Sequence, residues 1–361
     1  MTSLRYAIIG SGMMGQEHIR NIHLLDNAIV SAVADPDEHM RTAAQSLAGP
    51  EARPFADYKE LLSADVADVL VIASPNHTHI DVMHDVLASN LPILVEKPLC
   101  TTVDDCKKIV SMAEGRSAPV WVAMEYRYMP PVATLVDEIR AGTIGDLKSL
   151  TIREHRFPFL EKIGDWNRFS EKTGGTLVEK CCHFFDLMRF ITKSDPVRIY
   201  ASGNQDVNHL DEIYDGKTPD ILDNAMVIVD FENGTRGLLE LCMFADGSFY
   251  QEHLTALGDQ AKIEALVPGP SRFWPGAQER EAEVIVSPRF SKTPEQRPIP
   301  VDETILSAGD HHGSTYFQHV HFNRIVREGG TVEITLADGA MAVEMGAAAE
   351  QSAKSGEPVR F

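Results

Sequence analysis

The stretch Tyr6–Arg20, YAIIGSGMMGQEHIR, constrains this chain more than any other. An apolar run, Ala7-Ile8-Ile9, feeds directly into Gly10-Ser11-Gly12-Met13-Met14-Gly15, and a helical pattern follows. This is the order of strand, tight turn and helix that a dinucleotide-binding turn requires. The first glycine permits the turn, the second lets the backbone approach a pyrophosphate, and the third lets helix and strand pack closely. The helix N-terminus then offers unpaired N–H groups and partial positive charge to an anion. A second strand, Ile29–Ala34, ends in Asp35, twenty positions beyond Gly15. There a carboxylate meets the adenosine ribose hydroxyls and repels a 2′-phosphate. The motif predicts an NAD rather than an NADP site, with Gly10, Gly12, Met13, Met14, Gly15 and Asp35 at the cofactor.

As far as Met124, apolar strands (Val69–Ala73, Ile93–Val95, Val120–Met124) alternate with helical stretches (Glu38–Leu47, His79–Ser89, Val103–Glu114). Continuous apolar strands separated by helices indicate a parallel sheet covered on both faces. Ligands of such sheets lie beyond the carboxyl ends of the strands. That rule singles out Ser74-Pro75-Asn76, Glu96-Lys97-Pro98 and Glu125-Tyr126-Arg127.

Beyond Met124 the pattern changes. Pro130-Pro131 opens a helix, Ser149–Phe157 reads as a strand, and Thr176–Ile191 has helical spacing. Period-2 alternation puts Arg153, His155 and Phe157 on one face of that strand. Asn233-Gly234 marks a hairpin. Val267–Pro300, rich in Pro and Arg, reads as a long surface excursion, and helices at Ser314–Glu328 and Leu336–Ser355 close the chain. The expected architecture is α/β: a Rossmann doubly wound parallel sheet over residues 1–124, then an α+β domain over residues 125–361 with a large, open-faced, mostly antiparallel sheet.

The formal charge of −20 argues against a nucleic-acid or anionic-membrane surface, since both need a positive stripe. No apolar run is long enough to span a bilayer, and the N-terminus lacks a basic region followed by an apolar segment. Five cysteines, two of them adjacent at Cys181 and Cys182, make no disulfide framework, so a reducing cytoplasm is expected. The run His311–His321 lacks an acid at ligand spacing, and no metal is expected.

Lys97, at the end of a central parallel strand, points into the crevice where a nicotinamide would lie. Burial is expected to lower its pKa from about 10.4 towards neutrality, so that it accepts a hydroxyl proton. Glu179, His183 and Asp186 fall on one face of a single helix, where a carboxylate fixes the imidazole tautomer and raises its basicity. Tyr126, Arg127, Arg153, His155, Trp166, Arg168, Lys180 and His311 or His312 are candidate substrate contacts. Their cationic excess in an acidic chain hints at an anionic sugar.

Gly10–Gly15, Ser74–His79, Glu96-Lys97-Pro98, Gly174-Gly175 leading to His183, and the ending Ile334–Gly339 through Gly356–Val359 together resemble the Gfo/Idh/MocA superfamily of glucose–fructose oxidoreductases and inositol dehydrogenases. The resemblance covers nearly the full length. It implies that the open sheet mediates oligomerisation, as a homodimer or homotetramer. It also implies that Lys97 and His183 form the catalytic pair, that Glu96 contacts the cofactor ribose, and that Asn76 and His79 line the cofactor cleft; Ser74 and Arg127, at the strand mouths, are expected to join them at the cofactor, and catalytic Glu179, or Asp186, to orient the imidazole. Lys97–Pro98 is expected to be cis. The family usually carries Asp where Glu179 stands and small residues where Lys180 and Cys181 stand. The implied activity is hydride transfer to NAD from a secondary carbinol of a sugar, sugar acid or polyol. A second outcome is an NAD-dependent glycosidase that oxidises, eliminates, hydrates and reduces an anionic glycoside.

Overall fold

The computed structural model describes residues 3–274, Gly276 and residues 280–361. Its first sheet holds β1 (Leu4–Ile9), β2 (Ala28–Ala34), β3 (Arg53–Phe55), β4 (Val69–Ile72), β5 (Ile93–Val95) and β6 (Val120–Val122). All pairings are parallel, in the order β3-β2-β1-β4-β5-β6. This is the doubly wound order, with its switch point between β1 and β4. Every residue of β4, β5 and β6 is buried, the consequence of helices on both faces.

The second sheet holds β7 (Leu147–His155), β8 (Pro196–Asn204), β9 (Asn224–Phe231), β10 (Arg236–Cys242), β11 (Glu252–Gly258), β12 (Ala261–Val267), β13 (Ala282–Pro288), β14 (Glu295–Ile299) and β15 (Val359–Arg360). Its order is β14-β13-β12-β11-β7-β10-β9-β8-β15, with only β7 and β10 parallel. One face packs under helices Pro130–Arg140, Cys182–Thr192 and Leu336–Ser355. The other is open and carries exposed Tyr200, Met226, Ile228 and Leu238. Alternation in β7 sends Leu150, Ile152 and Glu154 to the covered face and Arg153 and His155 to the open one.

Helix Leu336–Ser355 joins the two cores. Thr335 and Asp338 form a capping box at its start. Small residues then allow close approach on two sides. A Cβ at Gly339 would come within 2.9 Å of Val122, and one at Gly346 within 2.6 Å of the Leu177 carbonyl oxygen. Val343 therefore belongs to the core of the parallel sheet, and Met345 and Ala349 to the other.

Two local expectations need correction. Thr176–Ile191 is not one helix but two, Thr176–Glu179 and Cys182–Thr192, broken at Lys180-Cys181. The stretch 267–300 is not simply an excursion, because β13 and β14 extend the sheet edge from within it. Buried Val284 and Val286 alternate with outward residues there, a strand signal masked by the Pro and Arg content. Pro275 and residues 277–279 of that stretch lie outside the described residues. Among the described residues no helix is long and apolar enough to cross a membrane.

Candidate active site

Gly10 ends β1 at φ +94°, where a Cβ would lie 2.4 Å from the Ser74 nitrogen; only glycine lets the ends of β1 and β4 meet. A Cβ at Gly15 would come within 2.1 Å of the Gly10 oxygen, so the third glycine sets the packing of helix Met13–Ile22 on the turn. Around Gly12 the space is open, and no side chain caps this helix. Its first N–H groups therefore face the cleft unpaired. The Asp35 carboxylate is held at the cleft wall by the Ser11 N–H (2.7 Å) and the Asp37 N–H (2.9 Å). An open cradle, an uncapped helix end, the buried Ser11 Oγ and Asn76 Nδ2 that have no partner among the described residues, and a fixed ribose-binding acid together fit NAD.

That fit yields a prediction. Asp35→Ser should narrow the NAD-over-NADP preference by about 10²-fold, since like-charge juxtaposition costs several kcal/mol. Equal initial-rate preferences in variant and parent would remove Asp35 from that role.

From this cradle a single cavity of about 940 Å³ continues past Ser74, Pro75 and Asn76 to Glu96, Lys97, Tyr126, Arg156, Lys162, Trp166, Glu179, Lys180 and His311. That is near the top of the range for small-molecule sites, roughly 300–1,000 Å³. The Lys97 ammonium donates to the Glu179 carbonyl oxygen at 3.1 Å, beside the cis Lys97–Pro98 bond. Its pKa is raised, not lowered towards neutrality. Burial does press it down, but the electrostatic pull of Cys182, Glu125, Glu96 and Glu179 prevails. Burial pushes the Glu179 carboxyl up, and its Oε2 has no partner among the described residues.

Behind Lys97 runs a buried polar chain. Glu96 accepts from its neighbour's N–H (3.1 Å) and lies 2.9 Å from His18 Nε2, while His18 Nδ1 lies 2.8 Å from His319 Nε2. The imidazole of His311 pairs with Glu17 at 2.8 Å. Burial opposes both charges of that pair. Mutual attraction prevails, lowering Glu17 to about 2 and raising His311 to about 9.

His183 is placed differently from its expectation. It is 1% exposed, does not line the cavity, and stacks on Tyr126 with ring centroids 4.0 Å apart. Its neighbouring carboxylate is Glu125 (3.7 Å), whereas Asp186 is taken by Arg127 and Glu179 lies across the helix break. Burial and the positive charges of Lys97 and Lys180 hold the imidazole neutral, far below its usual pKa. Burial and nearby Glu96 raise Glu125 to about 7. Glu125, Arg156 and Lys162 were not among the candidate residues. The strand-mouth rule pointed at Glu125, and period-2 alternation placed Arg156 opposite Arg153. Lys162 had no sequence signal.

Gly10, Gly12, Met13, Met14, Asp35, Ser74, Asn76, Glu96, Lys97, Tyr126, Trp166, Glu179 and Lys180 do meet in the one cavity. Several others are placed elsewhere. Arg127 makes a bidentate pair with Asp186 and donates to the Glu333 carbonyl, so it ties segments together outside the cleft. His79 is fully buried between the carbonyl oxygens of Pro98 (2.9 Å) and Ser74 (3.0 Å), bracing two strand mouths from behind. Arg168 is buried against Glu212 at 3.0 Å. Arg153 and His155 face the open side of the sheet, toward His253 and Glu240. His312 lies off the cavity, and its neighbour His311 lines it.

Residues 4–124 match the family model for the Gfo/Idh/MocA oxidoreductase family, NAD-binding Rossmann fold, and residues 136–361 match that family's C-terminal alpha/beta domain. The rhizopine catabolism protein MocA of Rhizobium meliloti is 28% identical over 241 residues, covering 67% of this chain and 72% of that protein. The myo-inositol 2-dehydrogenase of Thermotoga maritima is 24% identical over 264 residues, 73% and 75% of the two chains. A levoglucosan dehydrogenase solved with NADH and levoglucosan superposes with a TM-score of 0.81 at 21% identity, over 99% of each chain, which shows the shared fold. These relatives favour an oxidoreductase over a glycosidase. With both halves matched by models of one family and the dinucleotide cradle intact, the chain belongs to the Gfo/Idh/MocA family of NAD-dependent oxidoreductases.

Proposed function

We propose that this oxidoreductase removes a hydride from a secondary carbinol of a carbohydrate, a sugar or polyol, at the Lys97 end of the cleft. The observation that carries the reading is the continuity of one cavity from the Gly10–Gly12 cradle to Lys97, Glu179 and Trp166. Bound NAD supplies the hydride acceptor. The protein's own groups do the rest. The Lys97 ammonium donates to the substrate oxygen and stabilises the negative charge that develops there. Glu179, raised by burial and without a partner at Oε2, takes the hydroxyl proton. Trp166 offers a flat apolar surface to the sugar ring. Tyr126, fixed by stacking on His183 and by the Lys180 ammonium at 2.6 Å, shapes the opposite wall. The sugar and inositol dehydrogenases among the relatives support this substrate class.

A second copy of the chain over the open sheet, giving a homodimer or homotetramer, is part of this reading, since exposed Tyr200, Met226, Ile228 and Leu238 form an uncovered apolar face. Five free thiols support a reducing, cytoplasmic setting. The test is initial-rate NADH formation with NAD across a panel of sugars, inositols and sugar acids. Accumulation of NADH with a stoichiometric keto product is expected. Silence across the whole panel would refute the reading.

A further inference from the structure

We infer that the substrate end of the cleft is built for an acidic sugar, with the carboxylate seated on Lys162 and Arg156. The inference rests on the carbohydrate-oxidising reading above and adds the substrate's charge.

Four cations line this part of the cavity: Lys97, Arg156, Lys162 and Lys180. Two are committed. Lys180 is fixed by Glu154 at 2.9 Å and the Tyr126 hydroxyl at 2.6 Å, and Lys97 donates to the Glu179 carbonyl oxygen beside the reacting position. Arg156 is half committed. Its Nε donates to the Phe157 carbonyl oxygen at 3.1 Å and its Nη1 lies 3.5 Å from Glu154, while Nη2 has no partner among the described residues. The Lys162 ammonium has no hydrogen bond or ion pair among the described residues, although the residue is half-buried on the cavity wall.

A lysine drawn partly out of water without a partner loses hydration and gains nothing. Burial presses its pKa down, and although Glu179 pulls it back, Lys97 and Arg156 add to the depression. Two of the acids near this wall already have partners. Glu96 is taken by His18 and the Lys97 N–H, and Glu154 by Lys180. Even His311, on the same cavity, is held positive by Glu17. The spare donors are thus one guanidinium nitrogen and one ammonium, facing a cavity that also presents Trp166 to a ring. A carboxylate on that ring completes the set, because charge-assisted bonds to both cations replace the water they have lost.

The test uses the full chain with saturating NAD and matched substrates: neutral sugars or polyols, the corresponding uronic or aldonic acids, and the corresponding phosphate esters. The acids should show at least tenfold higher kcat/KM than their neutral partners, with KM rising as salt is added. Lys162→Met should raise KM for the acid about tenfold or more with a much smaller change in kcat. Lys162→Arg should keep most of the preference, and both variants should melt with the parent, because the Lys162 ammonium has no hydrogen bond or ion pair among the described residues and its backbone bond to Asp165 survives substitution. NADH from neutral substrates alone, or an unchanged acid preference in Lys162→Met, would overturn the inference and leave the carbohydrate reading standing. Preference for the phosphate esters over the acids would overturn the carboxylate assignment. No NADH from any member refutes both readings together.

Discussion

Lys97→Met is expected to lower kcat for sugar oxidation by about 10²–10⁴-fold, the range typical of a lost proton-handling or charge-stabilising group. Methionine keeps the length and apolar stem of lysine, so the loss reports the ammonium rather than a cavity. The raised pKa of Lys97 sharpens the prediction. A group that stays protonated stabilises charge on the substrate oxygen but does not itself collect the proton at neutral pH. The acid limb of kcat/KM should therefore belong to Glu179, displaced upward from the ordinary carboxyl value of 4.5. Activity falls as pH drops through that limb, because protonated Glu179 accepts nothing. Glu179→Gln should remove the limb along with most of the rate, while Lys97→Met should keep the limb on the residual rate but move it to higher pH, because the Lys97 charge holds the Glu179 carboxyl down. An acid limb that survives in Glu179→Gln would move the proton acceptor elsewhere, with Glu125, at about 7 and in contact with His183, the next candidate.

Arg127→Met is expected to destabilise the protein by about 3–5 kcal/mol, the cost typical of stranding one member of a buried ion pair. Arg127 Nε and Nη2 reach the two oxygens of Asp186 at 2.6 and 2.5 Å, both side chains are buried, and Nη1 donates to the Glu333 carbonyl oxygen at 3.0 Å. Removing the guanidinium strands the buried Asp186 carboxylate on helix Cys182–Thr192, the element that carries His183. The double variant Arg127→Met/Asp186→Leu should recover most of the loss, since replacing both charges removes the desolvation problem altogether. Urea unfolding of the two variants beside the parent measures this. A single variant as stable as the parent would return Arg127 to the cofactor role that its place at the mouth of β6 first suggested.

Much of the cofactor half is written in short-range signals. A strand, a glycine turn and a helix are specified by residues within about ten positions of one another, and φ +94° at Gly10 is a local backbone demand. Continuous apolar runs fixed the parallel sheet, and the strand-end rule then named Ser74, Asn76, Lys97 and Tyr126, all of which reach the cleft. Alternation along β7 separated Arg153 from Glu154 correctly, yet could not say which face held the site.

What tertiary structure alone decided was partnership. Arg127 meets Asp186 across 59 positions and Lys97 meets the Glu179 carbonyl across 82, and no periodicity reports such pairs. The pKa of Lys97 rose because its neighbour Glu96 was joined by Glu125 and by Glu179 and Cys182 from two distant segments, outweighing the burial that a local reading would have emphasised. His183 lies behind Tyr126, and just before it the helix breaks at Lys180, whose ammonium turns to Glu154 on β7 of the sheet beneath. Backbone geometry is encoded by neighbours in sequence, so it could be read in advance. Charge, tautomer and exposure depend on neighbours in space, and only the folded chain supplies those.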